Sequence, residues 1–467
     1  MDRSAIIRAL RGVMNPENVS TAPRDLKAVA CDESDMPPVM PMCVCRPEST
    51  KEVAALVQIA AQEGVPVTAR GGGTGLEGGA IPAAGGLVVD FSRMDHILEV
   101  APEEQVAVVQ PGVVLERLNR HLRQTGLFFP VSPGGSADGA TIGGMVSTDA
   151  SGTRSLRYGG TRRWVRALEV VLGTGQVVRV GSRVPKSSAG YDTKDLFVGA
   201  EGTLGLITEV TLALSPVPTA TRTEAFSFPS LEDACEVAAE IAAYVPELVA
   251  VELMDSDTLA LLRGLPGISS LPEAPVLIVE AAGRPDECAA GLEAATGVAA
   301  VHGGSALSEP EDPWAVRERV TRVIRELAKP AGVCRTDCAV PRSALARFVR
   351  ELKAFVASDR CRTDGVRRRL YVFGHAGVGI VHCLMPLGGP GAWPAEEALA
   401  AKAAFAMRAL KLGGTVSGEH GIGLGQRDTF GLERAMDLEL MRRVKAVCDP
   451  HNIMNPGKLF PDVPRLG

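Results

Sequence analysis

Seven histidines occur in the 467-residue chain, and three of them fall in two short glycine-rich segments. His375 and His382 bracket Gly374-His375-Ala376-Gly377-Val378-Gly379-Ile380-Val381-His382, and His420 lies in Ser417-Gly418-Glu419-His420-Gly421. Two imidazoles and a carboxylate are a known ligand set for a catalytic divalent cation, with a coordination position left open. His420, beside Glu419, remains available as a general base. The plain alternative, hydrogen-bonded structural histidines in a hairpin, would account for one histidine more readily than for this group. Far upstream stands Arg70-Gly71-Gly72-Gly73-Thr74-Gly75-Leu76-Glu77-Gly78-Gly79. Glycines let a backbone approach a phosphate closely. A phosphate-type loop and a metal and proton-transfer set therefore lie some three hundred residues apart.

The elements that must position these residues can be read from periodicity and punctuation. Ser49 to Gly64 reads as a capped helix, with Ser49 and Glu52 in capping-box register and Val53, Leu56, Val57 and Ala60 on one face. A strand from Val65 to Ala69 delivers the glycine run. Gln105 to Gln110 is strand-like and Val113 to Gln124 helical, closed by Gly126. Leu168 to Leu172 and Val177 to Val180 form a hairpin around Gly173-Thr174-Gly175, and Gly205 to Leu212 alternates like a strand. Ser215-Pro216-Val217-Pro218 is the best boundary. Beyond it, Leu231 to Tyr244, Trp314 to Lys329 and Ala395 to Leu412 read as helices, and Val276 to Glu280 and Leu370 to Phe373 as strands. A glycine-rich turn joins Tyr371 to Phe373 with the strand Val381 to Met385, so the side chains of His375 and His382 are able to converge. The fold class is α+β in two domains: a helical lead-in over 1–42, a first domain over 43–216, and a second over 217–467 with a central sheet.

Gly73-x-Gly75-x-x-Gly78 formally matches a Rossmann fingerprint, which needs a helix to start inside the motif. Here the run continues into Gly79-Ala80-Ile81-Pro82-Ala83-Ala84-Gly85-Gly86, which cannot be that helix. No Gly-Lys-Ser/Thr of an NTPase loop follows. A tight turn between strands is the plain alternative, and a backbone nest for a pyrophosphate is the reading favoured. Taken in order, the Arg70-Gly-Gly-Gly-Thr-Gly loop, Ile142-Gly143-Gly144, Ser151-Gly152, Leu156-Arg157-Tyr158-Gly159 and Glu201 to Thr208 resemble the FAD-binding domain of vanillyl-alcohol-oxidase-type flavoproteins. The resemblance implies an FAD site formed by Arg70, Gly71, Gly72, Gly73, Thr74, Gly75, Pro133, Gly143, Gly144, Ser147, Gly152, Tyr158, Glu201, Gly205 and Ile207. Neither histidine nor cysteine occurs from Arg70 to Gly79, which implies non-covalent flavin.

The C-terminal segments resemble those of the FAD-linked D-2-hydroxyacid dehydrogenases: D-lactate dehydrogenase, the FAD subunit of glycolate oxidase and D-2-hydroxyglutarate dehydrogenase. The resemblance runs from about Cys43 onward. It implies His375, His382 and Glu419 as ligands of a divalent metal, zinc or manganese, with His420 as active-site base. Trp314-Ala315-Val316-Arg317-Glu318 is similar to a helix whose arginine binds the substrate carboxylate, and Arg335 stands where some members carry a second cation. Asn455-Pro456-Gly457-Lys458 resembles a closing segment whose asparagine approaches the flavin. The implied reaction oxidises a D-2-hydroxy acid, D-lactate or glycolate foremost, to the 2-oxo acid. One departure is plain: Val378 and Ile380 replace an Asp and an Asn common in the family's loop, which points to an unusual substrate. They also support the alternative of a non-catalytic flavin subunit that relays electrons within a complex.

Composition narrows the partners. A formal charge of −6 with interspersed signs and 4% aromatic residues gives no basic stripe or stacking platform, so nucleic-acid binding is not expected. No apolar run nears the ~20 residues of a membrane span, and the N-terminus does not read as a signal peptide. The expected location is cytoplasmic, with attachment to the inner face of a membrane only through a partner. Ten cysteines, including Cys43-x-Cys45 and Cys334-x3-Cys338, lack the repeated spacing of a cluster framework. Electrons would therefore leave to a partner: an iron–sulfur subunit, an electron-transferring flavoprotein, a cytochrome or a quinone. A homodimer is compatible with the sequence.

Overall fold

The computed structural model describes residues 2–134, 139–263, 265, 268, 271–308, 312–358 and 366–461. The chain divides into two compact units. One comprises Met1–Ser151, Gly160–Val217 and His420–Gly467; the other comprises Gly152–Gly159 and Pro218–Glu419.

The first unit opens with the helix Arg3–Val13, has a second short helix Pro23–Ala28, and contains a sheet of four short strands, β1 (Val19–Ser20), β2 (Cys43–Cys45), β3 (Val67–Arg70) and β4 (Leu87–Asp90), in the order β1-β2-β4-β3. β4 runs parallel to both β2 and β3. Parallel neighbours need a crossover, and the helix Thr50–Glu63 supplies one between β2 and β3. Ser49 caps it by accepting from the Glu52 N–H at 3.3 Å, Glu52 accepts in return from the Glu48 N–H at 2.6 Å, and Gly64 ends it in the left-handed region at φ 63°. Its face of Val53, Leu56, Val57 and Ala60 is fully buried with Val67 and Leu87, each large side chain contributing about 1.5–3 kcal/mol. Cys43 and Cys45 are buried in the same core as small apolar residues.

Seven more strands complete this unit: β5 (Ile97–Ala101), β6 (Val106–Val109), β7 (Leu127–Phe128), β8 (Val165–Leu172), β9 (Val177–Gly181), β10 (Gly205–Ala213) and β11 (Ser215–Pro216). Five form an antiparallel sheet in the order β5-β6-β10-β8-β9, and β7 pairs with β11. The glycine-rich stretch before β8, which composition alone would make a loop, contains two short helices, Ile142–Thr148 and Ser155–Tyr158.

The second unit is built on an antiparallel seven-stranded sheet. Its strands are β12 (Ala220–Ser227), β13 (Leu248–Met254), β14 (Val276–Gly283), β15 (Ser305–Ala306), β16 (Val333–Ala339), β17 (Tyr371–Gly374) and β18 (Ile380–Pro386), in the order β15-β12-β14-β13-β17-β18-β16. The helix Pro313–Ala328 covers one face, burying Val316, Val320 and Ile324 with Met254, Phe373 and Leu384. Among the described residues no helix is long and apolar enough to cross a membrane.

Candidate active site

Strand alternation and register place the chemistry of the second unit. Met254 pairs with Phe373, Phe373 with His382, and His382 with Asp337, forming one row across β13, β17, β18 and β16. Side chains two residues apart share a face, so Glu252 joins that face on β13 and Arg335 on β16. His375 follows β17, where Ala376–Val378 makes a single helical turn and Gly379 reverses the chain at φ 77°. A Cβ on Gly379 would lie 2.0 Å from the Val340 carbonyl, so the turn requires glycine there.

The two imidazoles meet as the hairpin reading expects. His375 Nε2 is 3.0 Å and His382 Nε2 3.3 Å from Glu419 Oε1, and the two Nε2 atoms are 3.5 Å apart. Each Nδ1 faces another carboxylate. His375 Nδ1 is in short contact with Glu252 Oε1, and His382 Nδ1 lies 3.3 Å from Asp337 Oδ1. Asp337 also accepts from the Ser417 hydroxyl at 3.1 Å and the Glu419 N–H at 2.8 Å, which fixes the segment carrying Glu419. Asp337, His382 and Glu419 all present ligand atoms within 4.8 Å of one another. Asp337 thus faces the His382 ring while bracing the Ser417–Glu419 segment.

These groups are strongly coupled electrostatically. Burial alone would strip the His375 proton, but the carboxylates of Glu252 and Glu419 outweigh it and hold the ring up to about 10. His382 is raised for the same reason, its burial being overcome by Asp337 and Glu419. Burial would raise Glu419, yet the two imidazoles push it well below the carboxylate range. Three buried carboxylates thus demand positive charge at the point where two Nε2 atoms and Glu419 Oε1 converge. Protons meet that demand, and so would a divalent cation: two imidazoles with their far nitrogens on carboxylates, plus one carboxylate, fit such an ion.

Arg317 projects from the helix Pro313–Ala328, which Asp312 caps by accepting from the Ala315 N–H at 3.2 Å. Its Nε donates to Glu252 Oε2 at 2.8 Å, and its guanidinium lies 4.6 Å above the Phe373 ring. Among the described residues no other hydrogen bond engages the terminal nitrogens, which leaves a bidentate edge for a carboxylate. The plain reading of Arg317 as a solvated helix charge does not apply, since the residue is 8% exposed. Arg335 is buried on the same face of the sheet as Asp337. His420 follows Glu419 directly in the chain and is the first residue of the other unit's last segment. Val378 lies in the turn, and Ile380 is buried with its side chain closely packed against Gly418.

Three residues of this face escaped the sequence reading: Asp337, opposite His382, and two glutamates. Glu252 is fully buried and engages both His375 and Arg317. Glu280 is buried and holds Arg154, whose Nε and Nη2 donate to its two oxygens at 2.6 and 3.3 Å. The available signal was one acidic residue inside an otherwise apolar strand, as in Leu248-Val249-Ala250-Val251-Glu252-Leu253-Met254. A buried carboxylate must have partners.

In the first unit, the run from Gly71 to Gly79 contains no helix. A Cβ on Gly71 would meet Thr141 Oγ1 at 2.2 Å, and one on Gly72 the Gly139 carbonyl at 1.8 Å. The loop therefore packs directly on the segment leading into the helix Ile142–Thr148. Among the described residues the N–H groups of Gly72, Gly73, Thr74 and Gly75 have no acceptor, so they suit an anionic ligand such as a pyrophosphate. Gly143 is held against Pro111, its N–H donating to the Pro111 carbonyl at 2.8 Å, and the Ser147 hydroxyl donates to the Gly143 carbonyl at 2.7 Å. Gly205 and Ile207 lie on β10 opposite Leu172 and Val170. Gly152 and Tyr158 belong to the short segment grouped with the second unit. Pro133 is half-buried, while Gly135 and Ser136 lie outside the described residues.

Glu201 and Asn455 are tied into the scaffold. Glu201 accepts from the N–H groups of Ile422 and Gly423, both at 2.7 Å, and burial raises its pKa against those bonds. Asn455 Nδ2 donates to the carbonyls of Gly79 at 3.1 Å and Glu201 at 2.7 Å, while its Oδ1 accepts from Thr68 and Lys458. All four hydrogen-bonding positions of that amide are used, so Asn455 ties the closing segment to the Gly79 loop and to Glu201.

Comparison with known proteins shows the family. The family described as FAD binding domain matches residues 41–181, and the C-terminal domain of FAD linked oxidases matches residues 217–459. The chain is 34% identical over 430 residues to a mitochondrial D-lactate dehydrogenase [cytochrome] of Arabidopsis thaliana, covering 90% of this chain and 74% of that one. It is 33% identical over 460 residues to glycolate oxidase subunit GlcD of Bacillus subtilis, covering 96% and 95%. The solved structure of 4-ethylphenol oxidase from Gulosibacter chungangensis superposes with a TM-score of 0.77 over 99% of this chain and 98% of its own, at 17% identity, a likeness of fold alone.

Proposed function

The chain belongs to the FAD-linked oxidases and has the two-domain, vanillyl-alcohol-oxidase-type FAD-binding fold, and from that premise we propose that it oxidises a D-2-hydroxy acid to the 2-oxo acid. D-lactate and glycolate are the first candidates, since relatives carry those names. The first unit would hold FAD non-covalently through the Arg70–Gly75 loop and the helix Ile142–Thr148, and the second would hold the substrate. The flavin, when bound, supplies the acceptor for the hydride that leaves the α-carbon.

The chain's own residues account for the remaining requirements. The terminal edge of Arg317 would pair with the substrate carboxylate, and Arg335 adds positive charge on the same sheet face. His375, His382 and Glu419 would hold a zinc or manganese ion, which supplies Lewis acidity to the hydroxyl. His420 would take the hydroxyl proton. Electrons would pass on to an iron–sulfur subunit, an electron-transferring flavoprotein, a cytochrome or a quinone, in the cytoplasm or at a membrane face through that partner.

The convergence of His375, His382 and Glu419 beside a buried, carboxylate-anchored Arg317 carries this reading. A relay subunit needs none of these groups, although Val378 and Ile380 favour that second reading. The test is anaerobic addition of D-lactate, glycolate and related 2-hydroxy acids to FAD-loaded protein supplied with Mn2+ or Zn2+. Bleaching of the flavin near 450 nm is the expected result; no bleaching with any acid would leave the relay reading in its place.

A further inference from the structure

Glu252 is the one acidic residue of β13, on the sheet face that carries His382 and Asp337, and it is fully buried. Its two oxygens serve different machines. Oε1 accepts from His375 Nδ1 and Oε2 accepts from Arg317 Nε at 2.8 Å. We propose that Glu252 is a positioning residue that couples the cation site to the substrate-carboxylate site and sets the spacing between them. The proposal rests on the function proposed above.

An imidazole whose Nδ1–H donates to a carboxylate keeps its Nε2 lone pair for a ligand, and His375 Nε2 points to Glu419 Oε1 and His382 Nε2. An arginine whose Nε is committed presents only the edge formed by its two terminal nitrogens. Glu252 thereby orients both groups, and it is itself locked by burial on a central strand between β14 and β17. Phe373 supports the arrangement from below, with the Arg317 guanidinium 4.6 Å from its ring centre and the His382 ring 5.4 Å away. Since one carboxylate holds both groups, the distance from the carboxylate-binding edge to the cation cannot vary independently.

The test reads cation affinity in the FAD-loaded, substrate-free protein by titration with Mn2+ followed by its EPR signal. In Glu252→Gln the amide would donate to His375 Nδ1 and turn the Nε2 proton toward the cation. The expected result is Mn2+ binding weakened about 10- to 100-fold with the flavin spectrum retained. Arg317→Met, which removes no ligand, should shift Mn2+ affinity severalfold, and this shift should vanish in the double variant, as coupling through a shared partner requires. Should Glu252→Gln fail to retain flavin, Arg317→Met decides alone. Mn2+ affinity within twofold of the parent in every variant that folds overturns the proposal. It does so separately from the underlying function, which fails if no 2-hydroxy acid reduces the flavin of the parent protein.

Discussion

At the scale of single residues, the candidate site of the second unit gives each titratable group a buried partner of opposite charge. His375 and His382 lie seven positions apart on a hairpin, so their meeting was legible in the spacing of the sequence. Their orienting carboxylates were not, because Glu252 and Asp337 come from strands more than thirty residues away from either ring. His382→Ala should abolish binding of the divalent cation while the flavin absorbance persists, as elemental analysis of the purified variant would show. Retention of stoichiometric metal in that variant would remove His382 from the ligand set. Arg317→Ala should lower kcat/KM for the acid by about 10- to 100-fold, the range for loss of a hydrogen bond to a charged group, with most of the effect in KM. Steady-state kinetics with an artificial electron acceptor reads this, and an unchanged KM would contradict carboxylate binding by Arg317.

At the scale of elements, local chemistry determined most of what was read correctly. The Ser49 cap, the Gly64 stop and the four-residue apolar face defined the helix Thr50–Glu63, and the hairpin of β8 and β9 followed from its turn glycines. The two short helices between Gly139 and Gly160 were obscured by their glycine and serine content, since tertiary packing on Pro111 and Val113 rather than propensity holds the first of them. Glycine in the phosphate-type loop answers to close approach. Gly72→Ala would drive a methyl group into the Gly139 carbonyl, so the variant should be purified largely free of FAD while its far-UV spectrum stays near that of the parent. Normal flavin content in Gly72→Ala would show that the loop can move aside.

At the scale of the whole molecule, the last segment, His420–Gly467, groups with the first unit although nearly two hundred residues of the second precede it. Its anchors are buried cations. Lys445 donates to the carbonyls of Thr203 and Met454 at 2.7 and 2.8 Å, and Lys458 to those of Gly79 and Ile81 at 3.0 and 2.6 Å. Truncation after Glu419 should therefore yield protein without bound FAD, which absorbance at 450 nm would reveal. Burial pushes the Lys458 ammonium down to about 8 against the opposing pull of Glu201 and Asp32. Between pH 8 and the ordinary lysine value the unfolded chain holds this proton more firmly than the folded one, so stability from this group rises with pH across that window. Comparison of denaturant midpoints should show that rise in the parent and its absence in Lys458→Met; parallel pH curves would show that Lys458 does not titrate there. The sequence by itself determined the class of chemistry, the helix-free glycine loop and the local elements, because glycine spacing, caps and alternation are properties of neighbouring residues. Only the tertiary structure decided that Glu252, Arg317, Arg335, Asp337, His375 and His382 belong to one buried arrangement. Alternation tells which side chains of a strand share a face, but the strand order β13-β17-β18-β16 that brings those faces together is set by packing between segments distant in the chain.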